Sequence, residues 1–163
     1  MLKNRLEKSA SKRRRSSNGA FLLTVAVLLC FVFTAQAANG VSGYHENDYQ
    51  KLRTYFETTT SSGKTNGNIL FGDGYSPDDP ATWSSSVVTW TEDSPKRLVI
   101  LDVSNKALAG DLDLSGCESL TNLSCQYNNL TDLDVSGCTA LTTLSCSNNR
   151  LYSLDVGGYT SLT

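Results

Sequence analysis

Few side chains in this sequence have the types and spacing that catalysis requires. The sequence contains one histidine, His45, and the partner residues that a Ser-His-Asp triad or a histidine metal site needs are missing. Three carboxylates gather near Pro77, at Asp73, Asp78 and Asp79. Their oxygens could bind calcium, yet turn chemistry of glycine, proline and aspartate explains them equally well. We therefore expect no enzyme activity, no cofactor and no metal site, and the calcium question stays open.

Four of the five cysteines fall into two columns spaced by 21 residues, Cys117 with Cys138 and Cys125 with Cys146. Equivalent positions in stacked strands lie about 4.8 Å apart, whereas a relaxed disulfide brings its Cβ atoms to roughly 3.5–4.5 Å. The chain contains no C-x-x-C pair that would indicate zinc or thioredoxin-type chemistry. We therefore predict four thiols, of which Cys125 and Cys146 serve as small buried hydrophobic side chains.

The same spacing belongs to a repeat in the carboxy-terminal part of the chain. The segment LDLSGC at Leu112 returns as LDVSGC at Leu133 and, more loosely, as LDVGGY at Leu154. A second pattern, L-x-x-L-x-C-x-x-N-x-L, begins at Leu120 and again at Leu141. These motifs resemble leucine-rich repeats, and the cysteine-containing 21-residue unit is similar to the bacterial type.

One such unit cannot fold alone. In Leu-x-Cys, Leu123 and Cys125 point inward and Ser124 outward, which is the period of a short strand. Burying about six side chains stabilises a unit by roughly 10–20 kcal/mol, whereas ordering its backbone costs on the order of 20–40 kcal/mol. The six are Leu114, Leu120, Leu123, Cys125, Leu130 and Leu133. We therefore predict an α/β-type repeat solenoid, a curved leucine-rich repeat stack with a parallel concave sheet, preceded by a small helix-containing cap.

Two asparagines, Asn128 and Asn149, occupy the turn after the predicted strand. A buried amide there can pair with backbone groups that the turn leaves open. An earlier, divergent unit keeps apolar residues in the same columns but has Lys106 where asparagine is expected. A first repeat is atypical because one side meets a cap, so we assign 97–163 to the repeats. Because the sequence stops ten residues into a unit, we expect the array to be truncated at its C-terminus.

Residues 1–37 have the pattern of a secretory signal peptide. A basic run at 12–15 precedes an apolar core at 20–33, and Ala-Gln-Ala ending at residue 37 forms a cleavage site. The core is shorter than the about 20 residues of a spanning helix, so we expect a secreted or cell-surface protein without stable membrane insertion after cleavage. The remaining chain has seven basic and 15 acidic side chains, which disfavours nucleic acid as a partner. His45 then lies near the new terminus, where we expect little order.

The segment 38–96 carries no repeat and is predicted to be an N-terminal cap region. Asn47 and Gln50 have the spacing of a capping box that opens a short helix, with Tyr49, Leu52, Tyr55 and Phe56 on one face. The run of Thr, Ser, Gly and Asn at 58–68 is predicted to be a loop. With its tryptophans before the first repeat, the segment resembles the cap of leucine-rich repeat ectodomains. A small independent domain joined by a linker is the alternative.

The outward strand positions form the candidate binding surface. Their hydroxyl and amide groups suit a protein or glycan partner and provide no activated nucleophile. These residues are Asp102, Ser104, Asn122, Ser124, Gln126, Thr143, Ser145 and Ser147. The resemblance implies recognition or adhesion as the function. An N-terminal accessory region of a larger secreted enzyme, or a structural spacer, is the alternative.

A column of carboxylates, Asp113, Asp134 and Asp155, recurs on the side opposite the candidate surface. Stacked about 4.8 Å apart, they would repel unless they were solvated or bonded to turn N–H groups. We expect solvation.

Overall fold

The segment before the repeats folds into two helices, two short 3₁₀ turns and one strand in the computed structural model, which describes residues 41–162. Helix α1 spans Glu46–Glu57 and α2 spans Asn66–Phe71. The 3₁₀ turns are Gly72–Gly74 and Pro80–Thr82, and strand β1 is Val88–Trp90. The apolar face predicted for α1 is confirmed, because Tyr49, Leu52, Tyr55 and Phe56 are all buried. The predicted signal at 1–37 lies outside the described residues.

Two local predictions for this segment are wrong. Helix α1 begins at Glu46 after His45, and Asn47 lies inside it with its side chain donating to Ser115 O at 3.2 Å, so Asn47 opens no capping box. The expected loop at 58–68 ends early, because Thr65 Oγ1 accepts a hydrogen bond from Asn68 N and caps α2. Helix α1 therefore starts one residue before Asn47, and α2 starts at the Thr65 cap.

The repeats carry two parallel ladders of short strands. Sheet A has the order β1-β2-β4-β6, with β2 at Leu98–Asp102, β4 at Asn122–Ser124 and β6 at Thr143–Ser145. Leu101, Leu123 and Leu144 lie in register across its parallel strands. Strand β1 runs antiparallel to β2 and closes that edge of the sheet.

Sheet B was not predicted from the sequence. Its strands are β3 at Ala109–Asp113 and β5 at Asn129–Asp134, which pair in parallel with an irregularity after Gly110. The first repeat thus contributes β2 and β3, the second β4 and β5, and the third β6 followed by residues 151–156. Both α-helices of the described residues precede the repeats, and none of these helices is long and apolar enough to cross a membrane.

A single hydrophobic core lies between the sheets and continues into the preceding segment. The six side chains predicted for one unit are buried, as are the apolar columns of the first repeat. Phe56 packs edge-on against Trp83 with ring centroids 5.0 Å apart, and Tyr49 stacks on Trp83 at 5.8 Å. The segment before the repeats therefore shares its core with them.

The repeat asparagines hold neighbouring turns together as predicted. Asn128 Nδ2 donates to Val103 O at 2.7 Å and to Cys125 O at 3.0 Å, while its Oδ1 accepts from Leu108 N at 3.0 Å. Asn149 repeats the arrangement one unit later, donating to Cys125 O and accepting from Leu130 N. Each amide thus satisfies backbone groups of its own repeat and of the one before.

Two buried polar side chains join the leading segment to the first repeat. Asp48 Oδ2 accepts from Arg97 Nε at 2.9 Å and from Leu98 N at 3.0 Å, at the start of β2. Asn66 bonds both Ala109 O and Ala109 N, at the start of β3. Asp48 therefore binds where the pairing of β1 with β2 ends, and Asn66 covers the edge of sheet B that has no preceding strand.

Candidate binding surface

The predicted surface residues lie together on the outward side of sheet A. Parallel pairing places Asn122 beside Thr143, and it places Ser124 between Asp102 and Ser145. The next column follows from the backbone bonds Asn105 N to Gln126 O and Tyr127 N to Ser147 O, and it holds Ser104, Gln126 and Ser147. We call these three columns, together with Ile100, the polar face. Short strands with inward-facing leucines between the outward positions therefore hold its side chains in a fixed array.

Hydroxyl and amide groups dominate the polar face. Asp102 is its one charged member, and its Oδ1 accepts from Ser104 N at 3.0 Å and from Ser104 Oγ at 2.7 Å. The amide oxygen of Gln126 is buried and has no hydrogen-bond partner among the described residues. A buried acceptor without a partner carries a desolvation cost.

Two exposed apolar side chains that were not predicted from the sequence also belong to this region. Ile100 is 38% exposed and heads the column of Asn122 and Thr143. Tyr127 is 56% exposed and follows Gln126 at the end of the same sheet. Ile100 lies within a continuous apolar run, so the alternation of inward and outward residues cannot be recognised there from the sequence. Alignment of the repeats by column would have found both residues.

Tyr127 has an unusual backbone conformation. Its φ is 56°, and the equivalent positions in the other repeats hold Asn105 at 58° and Asn148 at 55°. Asparagine tolerates this left-handed conformation, whereas a bulky side chain there is rare and strained. The middle repeat therefore holds an exposed aromatic ring where stability alone would favour asparagine.

The carboxylates of this column are exposed or partly exposed, as expected, and one oxygen of each also accepts a hydrogen bond from a turn N–H group. Asp113 Oδ1 accepts from Ser115 N at 2.9 Å, Asp134 Oδ1 from Ser136 N at 2.8 Å, and Asp155 Oδ1 from Gly157 N at 2.8 Å. Desolvation would raise the pKa of Asp113, but bonds from Lys51 and Ser115 lower that pKa below its ordinary value. The recurring aspartate therefore has a structural role in each turn.

Two of the three carboxylates near Pro77 have structural partners. Asp78 pairs with Arg53 at 2.9 Å, and Asp79 Oδ1 accepts from Ala81 N at the start of a 3₁₀ turn. His45 is ordered, contrary to expectation, and its N–H donates to Lys96 O at 2.8 Å. Within residues 41–162, no group of three or more His, Cys, Asp or Glu side chains could hold a metal ion.

All four cysteines of the repeats are free in the structure, in agreement with the predicted thiols. Burial raises the pKa of Cys125 to about 12 and the pKa of Cys138 to about 11. Cys138 Sγ also donates to Leu114 O of the preceding repeat at 3.2 Å. These thiols are packing groups, and nucleophilic chemistry at neutral pH would need a much lower pKa.

A family comparison agrees with the observed strand repeat. A sequence model described as Leucine Rich repeats (2 copies) matches residues 118–156. The match supports a leucine-rich repeat family. No curated protein and no solved structure matches the chain. Leucine-rich repeats generally mediate protein–protein interaction and are typically not enzymes, so the match favours protein partners.

Proposed function

We propose that this chain is a secreted or cell-surface binding module that recognises a protein partner, with a glycan as the second candidate, through the polar face. The observation that carries the proposal is the in-register array of outward hydroxyl and amide groups on β4 and β6. Rigid strands present these groups at little further entropic cost, which favours recognition over a purely structural role.

The exposed apolar residues give the proposed interface its anchors. Interface energy concentrates in a few aromatic and apolar side chains, and surrounding polar groups exclude water from them. Ile100 and Tyr127 have the exposure that such anchors need, and Gln126 lies next to Tyr127 in the chain with an unpaired acceptor.

The same proposal includes three structural points: the bacterial-type 21-residue repeat, the curvature of the stack and the role of 38–96 as a cap. Their support is the parallel pairing of successive repeats and the closure of the leading sheet edges by β1 and Asn66. An array whose first repeat is covered can keep its leucines out of water.

An array of extracellular protein domains and glycans, probed with the chain from residue 38, tests the function. We expect at least one bound member whose affinity falls at least about tenfold with the triple variant Ser124→Arg, Gln126→Arg, Ser145→Arg. A matched triple, Thr54→Arg, Ser61→Arg, Ser85→Arg, adds the same charge at exposed sites away from the polar face. Both variants should melt within a few degrees of the wild type.

Other outcomes separate the alternatives. If the triple variant of the polar face binds like the wild type, the proposed site is wrong. If no member of the array binds, the spacer or the accessory role in a larger secreted enzyme is favoured instead.

A further inference from the structure

The two sheets differ in how they connect the second repeat to the third. In sheet A the backbone bonds continue beyond the strands, from Cys125 N to Ser145 O and from Tyr127 N to Ser147 O. In sheet B the described residues have one backbone bond across this junction, from Arg150 N to Leu130 O. Residues 151–156 then form no strand. The third repeat therefore diverges from β5 immediately after Arg150.

This divergence leaves one edge of β5 open. Asp134 O accepts from Leu114 N in the direction of β3, so the backbone groups of its neighbours, Leu133 and Val135, point to the other edge. The Tyr159 hydroxyl donates to Val135 O. Within residues 41–162, the N–H and C=O of Leu133 and the N–H of Val135 have no backbone partner on that side.

The open edge lines a cleft of 650 Å³ between the second and third repeats. Apolar groups of Leu133, Val135 and Leu141 line it together with the carboxylates Asp132, Asp134 and Asp155. No salt bridge of the described residues involves any of these three carboxylates. The cleft therefore combines an unpaired strand edge, apolar surface and unneutralised negative charge.

In the first repeat, the aspartate and serine equivalent to Asp134 and Ser136 bind an ammonium group. There the Lys51 ammonium contacts Asp113 Oδ2 and lies 2.7 Å from Ser115 Oγ. Asp134 and Ser136 repeat that pair one unit later, with the same bond from the serine N–H to the aspartate Oδ1. Helix α1 supplies the lysine for the first repeat, and the second repeat has its aspartate and serine in the cleft lining.

We propose that this cleft binds an extended, lysine-containing peptide segment of a partner protein. The peptide adds a strand to the free edge of β5 and bonds the open backbone groups of Leu133 and Val135. Its lysine ammonium meets Asp134 and Ser136 as Lys51 meets Asp113 and Ser115. The site lies on sheet B and does not depend on the polar face of sheet A.

A nonapeptide library with a fixed central lysine and random flanking residues is the probe. It is selected on the chain from residue 38, and the best peptide is measured by fluorescence anisotropy. We expect Asp134→Asn to weaken binding about fivefold, as does replacement of the peptide lysine by methionine. Asp111→Asn, on β3 and outside the cleft lining, should change affinity less than twofold.

N-methylation of the peptide backbone separates strand addition from a simple ion pair. Successive residues of a strand direct their backbone groups to opposite sides, so methylation at alternate residues should abolish binding in one frame and leave it in the other.

The proposal would be overturned by selected peptides whose binding ignores Asp134→Asn, by peptides that tolerate both methylation frames, or by a library that yields no binder. Peptides that lose affinity with Ser124→Arg and Gln126→Arg instead occupy the polar face, which would support the proposed function and reject this site.

Discussion

At the residue scale, the side-chain amide of Asn128 binds four backbone groups. Its oxygen accepts from Lys106 N and Leu108 N, and its nitrogen donates to Val103 O and Cys125 O. The recurrence of asparagine among buried leucines made this role predictable from the sequence. The buried anchors Asp48 and Asn66 could not be predicted in this way, because each occurs once and its partners in the repeat region lie more than 40 residues away.

Removing the Asn128 side chain should therefore be costly. Asn128→Ala leaves buried backbone groups unpaired, and we expect a loss of about 2–4 kcal/mol in the free energy of unfolding. Asn129→Ala is the control, because that side chain makes one long bond, to Ala107 O at 3.4 Å, and should cost less than about 1 kcal/mol. Urea denaturation measures both. Equal effects would contradict the role assigned to Asn128.

The cysteines give a second prediction at this scale. Cys117, Cys125 and Cys138 are buried, whereas Cys146 is partly exposed, so iodoacetamide should modify Cys146 first and the other three only in denaturant. Mass spectrometry without reductant measures which cysteines are modified. Protection of all four in denaturant would show disulfides and contradict the assignment.

Thiol burial also makes folding stability depend on pH. Burial raises the pKa of Cys125 from its ordinary value of 9.0 to about 12. The unfolded thiol therefore ionises first, and stability should be intact below pH 9.0 and fall as the pH rises toward 12. Urea midpoints between pH 8 and pH 10.5 should show this decline, with a smaller decline for Cys125→Ala. An identical decline in that variant would assign the effect to other groups.

At the element scale, sheet A was predictable and sheet B was missed. Leu-x-Cys with flanking repeats was enough to predict β4 and β6. The alternation Leu112, Asp113, Leu114 also has the period of a strand, but its recurring aspartate was interpreted as a surface feature. The start of α1 was mispredicted: Asn47 lies in the first turn of the helix, and its side chain bonds Ser115, 68 residues away along the chain.

The closure of sheet B by Asn66 is testable at this scale. Asn66→Ala removes the partner of Ala109 N and Ala109 O, so we expect a cost of about 1–3 kcal/mol and faster hydrogen exchange at Ala109. Asn68→Ala, at an exposed position of the same helix, is the control. Unchanged exchange at Ala109 in the Asn66 variant would show that the edge is covered by other groups.

At the scale of the whole molecule, the core is continuous but unequal along the stack. Leu123 is fully buried, whereas its counterpart Leu144 is only partly buried. We expect Leu123→Ala to cost about 2–5 kcal/mol and Leu144→Ala clearly less, because the cost rises with the cavity that remains. Thermal and urea denaturation measure the difference. A larger cost at Leu144 would contradict the burial order.

The pairing of each strand with the preceding repeat has a consequence for how the chain folds during synthesis. The preceding partner of β4 is β2 and that of β6 is β4. Each of these strands therefore leaves the ribosome after the strand with which it pairs. Contacts that reach back about one repeat keep loop closure short and folding fast. The array can therefore fold from its amino-terminal side as translation proceeds, one repeat at a time.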